Sequence, residues 1–260
     1  MNNTFNIKRF GMLFKKHTLE HGKTYALSTA VLAGILFIAL FFFGYINRGH
    51  LRAGEQTMLF VFIMSAAGSI FGSMIFADLG DKSKAIPALM LPASHFEKYL
   101  VGLIYSYFIF IVVFVATFYL ADVIVVDIMK HELEEDKVIN VFDPNGKPAQ
   151  AYVIFTLFHA FAFFGAIFFK KLHFIKTAIL FFICFGLLFL INAFVLNSLF
   201  AADTTFEVTI PFGGIMITEN NDFSSLSVTD DMFNYGKVIF VIVILLFWSV
   251  TYFRLKEKEV

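Results

Sequence analysis

Six stretches of this chain are too long and too apolar to belong to a water-soluble core: 25–46, 57–77, 99–120, 151–169, 177–199 and 238–253. A helix crossing the ~30 Å hydrocarbon layer needs about 20 such residues, and a helix satisfies its own backbone hydrogen bonds there. The runs therefore predict six transmembrane helices. The last run is the shortest and needs Tyr235, Gly236 and a snorkelling Lys237 to reach the surface. Composition agrees, with 59% apolar residues and 38 phenylalanines, against roughly 45–50% apolar in a soluble domain. The expected fold class is an all-α integral membrane protein, a single transmembrane domain over 1–260 built as a six-transmembrane-helix bundle with an N-terminal amphipathic interfacial helix.

Orientation follows from lysine and arginine on alternate sides of these runs. One side carries Lys8, Arg9, Lys15, Lys16, Lys23, Lys82, Lys84, Lys98, Lys170, Lys171, Lys176, Arg254, Lys256 and Lys258, and the other only Arg48, Arg52, Lys130, Lys137, Lys147 and Lys237. The richer side is cytoplasmic, so both termini are expected inside, in a multi-pass protein of the cytoplasmic (inner) membrane. The 20 basic and 20 acidic residues cancel, which argues against nucleic acid as a partner and makes membrane lipid the main neighbour. The single cysteine, Cys184, excludes an intramolecular disulfide. No cleavable signal peptide is expected, because the first long apolar run exceeds an h-region and comes after some two dozen polar and mixed residues.

Between and before the spans lie shaped segments. In 6–23, plotted at 100° per residue, Ile7, Phe10, Leu13 and Phe14 share one stripe flanked by Lys8 and Lys15, with Arg9 and Lys16 beyond. This predicts a basic amphipathic helix in the headgroup layer. A second set, Phe5, Met12 and Leu19, recurs every seventh residue and suits a protein partner. The cytoplasmic loop 78–98 places Leu89, Met90 and Leu91 between Pro87 and Pro92, and then Ser94 and Glu97 at capping-box spacing, so a helix is expected from His95 into the third span. The outer loops, 128–150 and 201–236, are acidic. Gly68 and Gly72 in the second run, and Ala26, Ala30 and Gly34 in the first, are seams of small residues for close helix packing.

Chemistry is sparse. His21-Gly22-Lys23-Thr24 imitates the end of a phosphate-binding loop, but the first glycine of that pattern is replaced by His17. His131-Glu132 begins a zinc-protease pattern whose second histidine is instead Glu135. His159 lies within a span with no carboxylate in its segment and reads as a hydrogen-bonded packing residue. Asp122 and Asp127 fall just past the outer end of the third run. Ion-coupled transporters need ionisable side chains at depth, so energy for any transport here is expected from a separate partner. No catalytic site, metal site or cofactor is expected in this chain.

Taken together, an N-terminal amphipathic helix, six spans, a shaped loop after the second and a long outer segment before the last resemble the permease subunits of type-2 ATP-binding-cassette (ABC) exporters. The run Leu91-Pro-Ala-Ser-His-Phe-Glu-Lys98 is similar to the L-P-x-S run of such permeases. The resemblance implies that Lys82 to Lys98 hold the coupling helix docking on a cytoplasmic ABC ATPase, with Leu89, Met90, Leu91, Ser94 and Glu97 at the contact. It also implies a connecting helix over Ile7 to Lys23, including Ile7, Phe10, Phe14, Lys15 and Lys16. A homo- or heterodimer of permease subunits exporting a hydrophobic or amphiphilic substrate is the implied assembly. The alternative is a non-transporting membrane scaffold or sensor that recruits cytoplasmic partners.

Overall fold

A computed structural model describes residues 5–77, 90–129, 138–143, 147–169, 172–199, 205–206, 215–219, 222–226 and 230–257. Six of its helices are long and apolar enough to cross a membrane. The first is α1 (Ile7–Ile46), followed by α2 (Ala53–Met74). The third is a 35-residue rod, His95–Met129, made of α3 (His95–Leu103), a π-helical turn (Ile104–Ile109) and α4 (Phe110–Met129). Then come α5 (Lys147–Phe168), α6 (His173–Leu199) and α7 (Asp230–Lys256). Between α6 and α7, short strands β1 (Thr205–Phe206), β2 (Ile215–Glu219) and β3 (Asp222–Leu226) form an antiparallel sheet in the order β1-β2-β3, with Ile217 opposite both Phe206 and Ser224.

The boundary expected near residue 24 is absent. Segment 6–23 and the first span form one unbroken 40-residue helix, because no proline interrupts the backbone ladder and the isolated glycines Gly11 and Gly22 each cost only about 1 kcal/mol. At 1.5 Å per residue it extends about 60 Å, roughly twice the hydrocarbon thickness. It also runs parallel to the third rod along its length. Asn6 meets Glu97 near one end, Phe14 packs at a tilt against Tyr105 with centroids 4.8 Å apart, and Gly44 lies under Met129 near the other end. The amphipathic stripe is used in part: Phe10, Leu13 and Phe14 are half-buried, whereas Ile7 is exposed together with Phe5, Met12 and Leu19. Lys15 is exposed, and the half-buried Lys16 reaches Glu20 at 3.5 Å.

The α5 helix is central. Within its apolar window 56% of residues are buried, against 6% in α6, which lies at the edge of the bundle. It packs on α2, α6 and α7, and small residues allow this: Ala151, Ala160, Ala162 and Ala166 are all buried. The seam in α2 is spent inside the chain. A Cβ on Gly68 would stand 2.8 Å from the Phe110 ring and closer still to Phe155, and one on Gly72 would meet His159 at 3.1 Å. Around this seam the rings of Phe60, Phe110, Phe114, Phe118 and Phe155 are mutually stacked or edge-on. Apolar burial gains little where the solvent is itself lipid, so close van der Waals contact of this kind carries the helix association.

Candidate functional site

At the start of the third rod the expected capping box is formed. Ser94 Oγ accepts from Glu97 N–H at 3.1 Å, and Glu97 Oε2 accepts from Ser94 N–H at 2.9 Å. The same carboxylate does more. Its other oxygen accepts from Asn6 N–H at 2.8 Å and from Arg9 Nη2 at 2.9 Å, and the Glu97 side chain is fully buried. Asn6 is itself the N-cap of α1, where its Oδ1 accepts from Lys8 N–H at 2.9 Å. One carboxylate thus serves the first turns of two parallel helices, at the point where both helix dipoles present their positive ends. Phe5 closes the junction edge-on against Phe96, with centroids 6.1 Å apart.

Ahead of this junction Met90 is exposed and Leu91 half-buried, and Pro92 leads into the buried Ala93 and Ser94. Leu89 and the loop 78–88 lie outside the described residues, as do 130–137, 144–146, Lys170, Lys171 and, in the outer loop 201–236, residues 201–204, 207–214, 220–221 and 227–229.

Two turns further along, the π-helical turn offers three successive polar side chains to different helices. Tyr105 hydrogen-bonds Thr18 of α1 and lies against His17, centroids 4.6 Å apart; His17 in turn meets Tyr25 Oη at 2.6 Å. Ser106 Oγ donates to Gly102 C=O at 2.8 Å, so its contact with His159 Nε2 at 2.9 Å is accepted from the imidazole N–H. His159 is fully buried beside Gly72. Tyr107 donates to Thr156 of α5 at 2.9 Å, since Thr156 spends its own proton on Tyr152 C=O, and its ring stands edge-on to Trp248 of α7. A π turn widens the helix by one residue and rotates the residues beyond it, which is how three neighbours in sequence reach α1, α5 and α7. Tyr99, below them, donates to Trp248 C=O at 3.1 Å.

The chain matches no protein-family model, no curated protein and no solved structure.

Sequence reasoning found Ser94 and Glu97 as a pair but missed their partners, because Asn6 and Arg9 are 91 and 88 residues away. It also missed Asp122. The third helix continues past residue 120 to Met129 and turns Asp122 into its packed face, fully buried, rather than leaving it beyond the span. Among the described residues no group of three or more His, Cys, Asp or Glu side chains comes together as a metal site.

Proposed function

We propose that this chain is the permease subunit of an ATP-driven exporter of the type-2 ABC class, set in the cytoplasmic membrane with both termini inside. It works with a separate ATPase chain, as a dimer of permease subunits, on a hydrophobic or amphiphilic substrate. The observation that carries the reading is the Glu97 junction. The loop expected to receive the ATPase's push ends in a capped helix whose capping carboxylate also holds α1. A displacement entering at 90–94 is therefore delivered to α1 at once, and through the π turn to α5 and α7. Rigid elements with few discrete arrangements pass motion on in this way. The dimer is supported by α1, where Ala26, Ala30 and Gly34 form an exposed stripe and nothing lies within 4 Å of a Cβ placed on Gly34.

The test is co-purification of a cytoplasmic ATPase with the tagged chain in mild detergent. In a Leu89→Asp, Leu91→Asp variant, recovery of the ATPase should fall about 100-fold or more, since a leucine covered by the ATPase contributes roughly 1.5–3 kcal/mol. Membrane insertion should not change. Wild-type recovery by the variant would make the loop a membrane-surface connector and remove the main support for the exporter reading.

A further inference from the structure

Asp122 sits in α4 with its side chain at 0% exposure, and neither carboxyl oxygen has a hydrogen-bond partner among the described residues. Its immediate helix neighbours Phe118, Ala121 and Val125 belong to an apolar cluster with Leu36 and Leu40 of α1, Leu51 of the α1–α2 turn, and Ile139. The polar groups in this layer are already committed. Gln56, equally buried, donates from Nε2 to Leu51 C=O at 2.9 Å and accepts at Oε1 from Ile139 N–H at 3.1 Å. That Ile139 N–H lies within reach of the Asp122 carboxyl but is directed at the amide instead.

Among the described residues no counter-ion is bonded to Asp122. The α1 helix has no ionisable side chain between Tyr25 and Tyr45. The other elements packed here add more acid: Glu55 on α2, Asp127 on α4 itself and Asp143 after Ile139. Tyr152 of α5 gives its proton to Val141 C=O at 3.3 Å. In the α1–α2 turn Arg48 and Arg52 are exposed and His50 is half-buried. An ionised carboxylate with neither donor nor counter-ion in apolar packing is penalised by several kcal/mol or more. A metal cation such as calcium would call for about six to eight oxygen ligands, whereas one carboxyl is on offer. A proton needs a single oxygen.

We propose that Asp122 is a proton-binding site inside the membrane domain, occupied while residues 138–143 remain packed over Gln56. Release passes the proton to water and leaves the O–H electron pair on the carboxylate. The site stands independently of the exporter reading, and it places an ionisable group where the sequence had suggested none.

Infrared spectroscopy of the whole chain in lipid, labelled with ¹³C-aspartate and held at a pH of about 5.5, decides it. Exposed aspartates, with ordinary pKa values near 3.9, are almost wholly ionised there. The expected result is a carboxylic-acid carbonyl band that shifts with the label and is lost in Asp122→Asn, whose amide matches the neutral acid in shape. Absence of a label-sensitive acid band in the wild-type protein overturns the proposal, and that measurement needs no variant. Persistence of the band in Asp122→Asn overturns it too, as does its loss on adding sodium at constant pH, which would assign the carboxyl to a metal ion.

Discussion

Replacing Glu97 by alanine should free the N-terminal end of α1 from α3 while the apolar spans stay assembled. Three N–H donors converge on this carboxylate, from Ser94, Asn6 and Arg9, at 2.8 to 2.9 Å. Removing one partner of a buried ion pair costs about 3–5 kcal/mol. The Arg9 side chain keeps 28% of its exposure, so water recovers part of that, and about 2–3 kcal/mol is the expected loss. At 1.4 kcal/mol per factor of ten, local opening of the first turns of α1 becomes roughly 30- to 150-fold more frequent. Amide hydrogen exchange read by mass spectrometry, with the protein in lipid nanodiscs, measures this directly. Peptides covering 7–14 should lose protection by that factor, while peptides from the buried centre of α5, 155–163, should keep theirs. The Arg9→Ala change alone should be milder, and the Glu97→Ala, Arg9→Ala pair should show a coupling of about 1 kcal/mol or more. If exchange in 7–14 matches wild type, or the two changes simply add, Glu97 does not tie the helices together and motion does not pass through this junction.

Two further outcomes are expected. Gly68→Leu should lower the thermal unfolding midpoint in detergent, because its side chain must displace the rings of Phe110 and Phe155 at about 1–3 kcal/mol; Gly186→Leu, with nothing within 4 Å of its Cβ, should not. Cysteines placed at Lys137 and Thr229 in a Cys184→Ser background should react with an impermeant thiol reagent on intact cells, and those at Ser83 and Lys256 only after permeabilisation; reaction of position 83 from outside would reverse the topology.

The number of spans and the cap at Ser94 could be read directly because both depend on residues near one another in the chain. A helix of about 20 apolar residues is a local fact in lipid, and Ser94 and Glu97 are one turn apart, so each reaches the other's backbone whatever the rest of the chain does. The stripe of Phe10, Leu13 and Phe14 was legible for the same reason. Helix continuity was harder. Charges at Lys15, Lys16, Glu20 and Lys23 mark the end of apolar sequence but not the end of the hydrogen-bond ladder, so 6–23 and 25–46 read as two elements and fold as one. Only tertiary structure could bring Asn6 and Arg9 to Glu97, since a contact across some 90 residues leaves no periodic trace in one sequence. The same holds for the π turn, where the register change shows only in which helices Tyr105, Ser106 and Tyr107 reach, and for Asp122. Its place two residues beyond an apolar run suggested water. It is buried by the packing of α1, α2 and residues 138–143 around a helix that continues to Met129, and burial by neighbours is a property of the assembled bundle, not of any segment within it.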